Sequence, residues 1–231
     1  MAKQTAKRPA RHGIVQIEVP AKPRKRPSQE RSVMLVDSLK KAGREILEKE
    51  GRNALSAARL SERAGVATSS IYEYFPTMES LIAAVFEDCR DELRRKLPGK
   101  VQALPATATL LDGILLIVES GLGLLREWSL IDPEFNIRSA YYEELVRLSL
   151  VKPEHFCASF VIPTLMARFS EEMRIHDRER AGFFVCQTLL AVSRSMILEK
   201  PEYLGKPDTP FLLARMLHAL LTTDAESFES A

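Results

Sequence analysis

The sequence of 231 residues is 45% hydrophobic and 28% charged, a composition typical of a soluble globular protein with one large domain or two small ones. It has no apolar run of the ~18 residues that span a bilayer and no apolar stretch behind its basic N-terminus, so we expect neither a membrane segment nor a secretory signal. The three cysteines lie far apart and the four histidines share no ligand spacing. We therefore expect buried free thiols in a reducing cytoplasm, no metal and no other cofactor.

The net charge of +2 conceals an asymmetry along the chain. Residues 1–31 hold nine basic and two acidic residues, a net charge of +7, whereas the remainder holds 24 basic and 29 acidic residues, a net charge of −5. Residues 1–30 are also rich in proline and poor in apolar residues, which predicts a disordered basic arm. A positive arm on a mildly acidic body is suited to binding a polyanion.

The first ordered region is predicted to contain four helices. Apolar residues recur at three- and four-residue spacing from Arg31 onward. Ser56 and Thr77 are typical N-caps, Gly65 is placed to make a turn, and Pro98-Gly99 is expected to end the fourth helix. The predicted bounds are about 31–50, 56–63, 67–74 and 77–97.

The rest of the sequence is also helical by its period. Proline, glycine and aspartate separate the segments, and no alternating strand pattern or internal repeat is present. The predicted helices lie near 106–127, 133–150, 153–174, 177–199 and 208–223. The predicted fold is therefore all-α, with about nine helices.

A short helix, a turn at Gly65 and a second short helix make a helix-turn-helix, in which the second helix enters the major groove of DNA. Thr68, Ser69 and Ser70 stand at the leading end of that second helix. Their small hydroxyl side chains let the backbone approach DNA and donate hydrogen bonds to phosphates or bases. This composition suits neither a core helix nor an ordinary surface helix.

Two tyrosines follow these hydroxyl residues. Ile71 and Phe75 are four residues apart and are expected to pack inward, whereas Tyr72 and Tyr74 are expected to direct their hydroxyls outward to phosphates. Glu73 is unexpected on such a helix, because a carboxylate is repelled by DNA. Two interpretations stay open for it, a hydrogen bond from cytosine N4 or an orientation towards solvent.

The segment "LSERAGVATSSIYEYFPTMESL", Leu60 to Leu81, resembles the helix-turn-helix signature of the tetracycline-repressor (TetR) family of bacterial transcriptional regulators. The match includes Ala64-Gly65-Val66, the Ile71-Tyr72 pair and Tyr74-Phe75. Three positions depart from the signature, because Ala67, Ser69 and Met78 stand where serine, glycine and lysine are usual. We expect these departures to affect the operator sequence and the affinity.

The resemblance implies a helix-turn-helix domain at 31–76 and an effector-binding and dimerisation domain at 77–225. It also implies a homodimer whose interface is a four-helix bundle made by the helices near 177–199 and 208–223. The expected partners are an operator in double-stranded DNA, a second copy of the chain and a small-molecule effector, in the bacterial cytoplasm. The expected DNA-binding residues are Ser56, Arg59, Thr68, Ser69, Ser70, Tyr72, Tyr74 and Thr77, with Lys22, Arg24, Lys25 and Arg26 of the arm.

An effector pocket is expected among the fifth to eighth helices, and its default ligand is an apolar or amphipathic molecule. Aromatic and methionine side chains in this region are candidates to line it, although each of them is also a plausible plain core residue. They are Trp128, Phe135, Tyr141, Tyr142, Phe156, Phe160, Met166 and Phe169. The fourth helix, which joins the two domains, is expected to transmit the effect of the ligand to the DNA-binding domain.

The resemblance therefore implies a ligand-responsive repressor that binds a palindromic operator as a dimer and leaves it when an effector binds. One alternative is a DNA-binding regulator without a small-molecule ligand, controlled by a protein partner. A helical enzyme is a remote alternative, since the sequence has no nucleophile-base pair, metal-ligand spacing or phosphate-binding loop.

Overall fold

Eight α-helices make up the described part of the chain. The computed structural model describes residues 30–132, 161–175 and 177–223, and these residues contain two short 3-10 turns and no strand. The all-α prediction is therefore confirmed. The helices are α1 (Glu30–Glu50), α2 (Ala57–Ala64), α3 (Thr68–Tyr74), α4 (Met78–Gln102), α5 (Leu110–Ile131), α6 (Val161–Phe169), α7 (Arg178–Glu199) and α8 (Thr209–Thr222), and the 3-10 turns are Arg52–Ala54 and Pro201–Gly205.

Side-chain caps set several of the helix starts where the sequence predicts them. Ser56 accepts a hydrogen bond from the Arg59 amide at 3.2 Å and begins α2, and Asp177 accepts one from the Arg180 amide at 2.9 Å and begins α7. Thr77 begins α4 through a reciprocal pair of hydrogen bonds with Ser80. Each cap satisfies backbone amides that have no partner within the helix.

The predicted end of α4 at Pro98 is wrong, because the helix continues to Gln102. A proline inside a helix removes one backbone hydrogen bond and crowds the preceding turn. In this case tertiary contacts outweigh that cost. Leu97 and Val101 are buried, and the guanidinium of Arg168 donates hydrogen bonds to the carbonyls of Val101 and Gln102 at the end of the helix.

Two other bounds differ from the prediction. Helix α5 begins at Leu110 rather than near 106, because Thr109 and Asp112 cap each other's backbone amides. Helix α6 ends at Phe169 rather than near 174. The predicted helix at 133–150 and the predicted start at 153 lie outside the described residues.

The helices form two hydrophobic cores that share α4. The head, α1–α3 with the first half of α4, buries Leu39, Ile46 and Phe75 completely. The body, α5–α8 with the second half of α4, has a separate core that includes Leu97 and Val101. Helix α4 therefore continues from one core into the other. This arrangement agrees with the expected division into two domains, whose bounds stay a prediction.

Close packing between α5 and α6 depends on a glycine. A Cβ atom at Gly113 would lie 2.5 Å from the Phe169 ring and 3.1 Å from Leu165. Both of those side chains are buried, so neither has room to move aside. Elsewhere in the cores, Cys89 and Cys186 are buried free thiols as predicted, while Cys157 lies outside the described residues.

Candidate nucleic-acid interface

The helix-turn-helix consists of α2, a turn at Gly65 and α3. Gly65 has φ of 66° and ψ of 28°, the left-handed conformation that glycine adopts without steric cost. Leu60 of α2 and Ile71 of α3 are both completely buried, which fixes the two helices against each other. No side chain caps α3, because Ala67 occupies its N-cap position. The serine cap that is usual at this position is therefore missing from α3.

One side of α3 faces the head core and the other is exposed. Ile71 and Phe75 are completely buried, which confirms the predicted inward face. Thr68, Ser69 and Tyr72 are exposed on the other side, and Tyr72 keeps 46% of its surface accessible. The exposed side of α3 therefore presents hydroxyl groups, as an interface with DNA requires. The adjacent Ser70 is half-buried.

The predicted outward orientation of Tyr74 is wrong. Its side chain is only 6% exposed and packs in the head core. The reason is the helical period, since Tyr74 follows Ile71 by three residues and precedes Phe75, so it lies on the inward face with both of them. Of the two tyrosines, Tyr72 is the one whose hydroxyl is available to DNA.

Two capping hydroxyls flank the recognition helix α3. Ser56 is exposed at the start of α2, and Thr77 is half-buried at the start of α4. In each cap the hydroxyl oxygen accepts a hydrogen bond from a helix amide, so its own proton stays available for another acceptor. A phosphate oxygen is a suitable acceptor. The sequence predicts that both residues contact DNA, and these contacts stay predictions.

Arg59, another predicted DNA contact, is held by carboxylates. Its guanidinium donates to both oxygens of Glu50, at 2.9 and 3.0 Å, and to Glu62 at 2.7 Å. Glu50 also accepts from Arg63 at 3.0 Å. The hydrogen bonds from Arg59 and Arg63 lower the pKa of Glu50, and the hydrogen bonds that Arg59 donates to Glu50 and Glu62 raise the pKa of Arg59. This network ties α2 to the end of α1 and engages three of the five N–H donors of Arg59.

The basic cluster of the arm, Lys22, Arg24, Lys25 and Arg26, lies outside the described residues. Its contact with DNA stays a prediction.

A comparison with known protein families decides what this head is. Residues 39–85, from α1 through α2 and α3 into α4, match the tetR family of bacterial regulatory proteins. The head, residues 39–85, is therefore a TetR-family DNA-binding domain. The family consists of transcription regulators, so the expectation that the chain is not an enzyme is confirmed. No curated protein matches the chain as a sequence relative.

Solved structures share the TetR fold beyond the head. The crystal structure of RolR with the ligand resorcinol is 20% identical, with a TM-score of 0.53, and the similarity covers 87% of this chain and 93% of that one. A putative TetR-family transcriptional regulator from Mesorhizobium loti is 15% identical, with a TM-score of 0.50, over 87% of this chain and 98% of that one. At these identities the likeness extends the family fold to the body and carries no ligand with it.

The effector-pocket candidates that the structure describes are divided between the two hydrophobic cores. Met166 and Phe169 belong to α6 and pack in or against the body core. Trp128 packs instead in the head core, where its ring centroid lies 5.0 Å from that of Phe86. Their role as pocket residues stays a prediction. Phe135, Tyr141, Tyr142, Phe156 and Phe160 lie outside the described residues.

A narrow apolar space lies between α5, α6, α7 and α8. It is too narrow to hold a water molecule. Of the predicted pocket residues that the structure describes, Trp128, Met166 and Phe169, none lines it. Its walls are aliphatic side chains of all four helices: Ile114, Ile117, Val161, Leu165, Val185, Leu189, Leu217 and Leu221.

The C-terminal end of α5 contacts the head. Arg52, in the turn between α1 and α2, donates to Glu79 at 2.6 Å, and its Nε lies 3.6 Å from the carboxylate of Asp132. Asp132 is buried and follows α5 directly. Together with the packing of Trp128 on Phe86, this ion pair forms a junction between the head and the body.

A second junction holds the far end of α4. The guanidinium of Arg168 donates to four backbone carbonyls, those of Val101, Gln102, Leu104 and Pro105. Three residue positions after α6, in the following turn, the Glu172 carboxylate accepts a hydrogen bond from the Leu110 amide, at 2.9 and 3.0 Å to its two oxygens. The end of α6 therefore fixes both the last turn of α4 and the first turn of α5.

Proposed function

We propose that this protein is a transcriptional repressor that binds a palindromic operator as a homodimer and is released from it by a small apolar or amphipathic effector. The observation that carries the proposal is the exposed hydroxyl-rich side of α3 with a capping hydroxyl on each flank. Because it binds operator DNA, the protein acts in the bacterial cytoplasm.

For the DNA-binding role, the charge of the head supports a contribution from the arm. Residues 30–76 hold eight basic and seven acidic residues, so the head itself is nearly neutral. Most of the attraction to phosphates then has to come from residues 1–30. Two or three arm contacts change the slope of log K against log salt by roughly two units. Binding by the full chain and by a variant beginning at Ser28 across a salt series measures this contribution, and equal slopes with equal affinities contradict it.

For the homodimer, exposed apolar side chains on the last two helices give the support. Phe183 and Phe184 on α7 are 57% and 47% exposed, and Leu212 and Met216 on α8 are each 58% exposed. Residues 179–199 of α7 are long and apolar enough to cross a membrane, by length and composition alone. Only 33% of the most apolar part of this stretch is buried within the subunit. A second copy that covers these faces accounts for the apolar surface, since contiguous exposed apolar patches mark interaction sites.

The dimer is tested by Met216→Glu, which places a charge in the proposed interface. We expect sedimentation equilibrium to show a weakened dimer, because a carboxylate is costly to bury without a partner. Leu130→Glu is the matched control, since Leu130 is 76% exposed near the end of α5 that contacts the head. The interface is assigned to the wrong helices if the control dissociates the dimer and Met216→Glu does not.

For the effector, the aliphatic space between α5 and α8 supports an apolar ligand, which needs these helices to separate before it enters. Resorcinol, the ligand of RolR, and longer apolar molecules are suitable probes. A ligand that prefers the released conformation raises the thermal stability of the protein and lowers its affinity for DNA. A ligand that does the first without the second contradicts a role as inducer.

The experiment that tests the function as a whole is in vitro selection of bound DNA by the full chain. We expect an inverted repeat whose half-sites are separated by about 10 bp or a multiple of it, because two recognition helices face successive turns of the major groove. Enrichment of a single asymmetric site bound by monomers would contradict the proposal.

A further inference from the structure

Glu73 lies on the DNA-facing side of α3. It is exposed, and it follows Ser69 by four residues, so the two side chains are neighbours on the helix surface. It follows Ile71, at the centre of the buried face, by two positions, which places it about 200° around the helix axis from Ile71. Its carboxylate thus points into the same space as the hydroxyl of Ser69. The sequence alone left this orientation of Glu73 undecided.

Glu73 has no basic partner in the described part of the chain, whereas several other acids of the head have one. Glu45, Glu50 and Glu62 pair with arginines of α2, and Glu79 pairs with Arg52. Pairing screens those carboxylates from a nearby phosphate backbone. An unscreened carboxylate facing the groove is unfavourable unless the DNA offers it a hydrogen-bond donor.

The major groove offers few donors to such a carboxylate. Guanine presents two acceptors and thymine presents an acceptor and a methyl group, so neither donates to it. Adenine has an N6 amino group, but its N7 acceptor stands beside that group and repels a carboxylate. Cytosine presents the N4 amino group as its hydrogen-bonding group.

We propose that Glu73 is a specificity-determining residue that accepts a hydrogen bond from cytosine N4 and thereby selects a C·G pair in each half-site. The inference rests on the proposed function, in which α3 lies in the major groove. It goes further by assigning one base preference to one side chain. A good base contact discriminates by about tenfold or more against the wrong base, and a dimer makes the contact twice.

The substitution Glu73→Gln gives the sharpest test, because it keeps the size of the side chain and changes its hydrogen-bonding pattern. A glutamine pairs with adenine N6 and N7 through its carbonyl and its amide. We therefore expect the preferred base at one position of each half-site to change from cytosine to adenine. Glu73→Ala removes the contact, and we expect it to lose the preference at that position and to keep the others.

The measurement is in vitro selection with the full chain, the two Glu73 variants and Glu87→Gln. Glu87 is a matched control because it is an exposed acid of the head on α4 rather than α3. We expect Glu87→Gln to select the wild-type sequence. Circular dichroism and melting temperature, which an exposed substitution should leave unchanged, establish that the variants are folded.

The outcomes separate this inference from the function on which it rests. If the wild-type chain enriches an inverted repeat and the Glu73 variants enrich the same repeat with uniformly higher affinity, Glu73 merely repels phosphates and the inference is overturned. If the wild-type chain enriches no repeat at all, the proposed function fails and the inference fails with it. A change confined to one position per half-site supports both.

Discussion

Arg168→Ala is expected to destabilise the protein by releasing the end of α4. The side chain donates to four carbonyls, of which those of Val101 and Leu104 are partly buried and those of Gln102 and Pro105 are exposed. Water replaces the donor at the exposed carbonyls. At the partly buried ones each hydrogen bond from a charged donor contributes about 1.5 kcal/mol, so the total loss in the free energy of unfolding is about 3 kcal/mol.

Thermal unfolding at a fixed protein concentration measures this effect, because dimerisation makes the melting temperature depend on concentration. A loss of about 3 kcal/mol corresponds to a decrease of about 6–12 °C for a protein of this size. The melting temperature of Arg168→Lys should lie between those of the wild-type protein and Arg168→Ala, since one ammonium group with three donors does not span four carbonyls. Arg126→Ala is the control, an exposed arginine of α5. Equal melting temperatures for Arg168→Ala and Arg126→Ala would refute the reasoning.

Three further predictions use other contacts. Gly113→Ala should lower the free energy of unfolding by about 1–2 kcal/mol, because overpacking against Phe169 outweighs the gain in helix propensity. Hydrogen bonds from Lys96 and Arg44 lower the pKa of Glu92 to about 2, so its stabilising effect is present above pH 4.5 and is lost as the pH falls towards 2. Glu92→Gln should therefore lower the free energy of unfolding, measured by chemical unfolding, by at most about 1 kcal/mol at pH 7 and should not change it near pH 2. Tyr74→Phe should leave DNA affinity nearly unchanged in binding assays, because that side chain is buried.

Each of these predictions has a matched control. Gly123→Ala should stabilise by about 0.5–1 kcal/mol, because a Cβ there meets no atom within 4 Å. Glu87→Gln changes an exposed acid of α4 and should leave the free energy of unfolding at pH 7 nearly unchanged. Tyr72→Phe should weaken binding to operator and random DNA alike, since Tyr72 is the exposed tyrosine of α3. If Tyr74→Phe rather than Tyr72→Phe weakened binding, the orientation of α3 would be wrong.

The helix-turn-helix could be predicted from the sequence because local chemistry specifies it. Ser56 and Thr77 carry the hydroxyls that cap their helices, and Gly65 takes the left-handed turn without cost. The error at Tyr74 was avoidable with the same kind of information. Its spacing from Ile71 and Phe75 places it on the buried face, and the helical period outweighs the suitability of a tyrosine hydroxyl for phosphates.

The junctions between elements could not be predicted in this way. Arg168 contacts residues more than 60 positions earlier, and Arg52 meets Asp132 80 positions later, so no local pattern in one sequence relates them. A weak signal exists at Arg168, an arginine in the otherwise apolar "VIPTLMARF". A cation there needs acceptors, although the sequence does not say which. The passage of α4 through Pro98 depends on these acceptors, and for that reason local signals failed there.

The two junctions together determine how α4 can act in the proposed release. Helix α4 has 25 residues and is about 37 Å long. Arg168 holds its far end, and the body contacts it at Phe86, about 22 Å from Val101 along the axis. If the far end acts as the pivot, a displacement of 1 Å at Phe86 moves Met78 by about 1.5 Å, because Met78 is about 34 Å from the pivot.

A movement of that size is sufficient to disturb the contacts of α3 with DNA. Hydrogen bonds to bases and phosphates form within a range of about 0.5 Å in length, so a shift of 1.5 Å in each subunit would break those predicted for Thr68 and Ser69. The effector then needs to displace only the end of α5, where Trp128 meets Phe86, by about 1 Å. Loss of Arg168 frees the pivot, and the same displacement at Phe86 would shift the far end of α4 as well as the head. In Arg168→Ala, an effector should therefore still bind while its effect on DNA affinity becomes smaller.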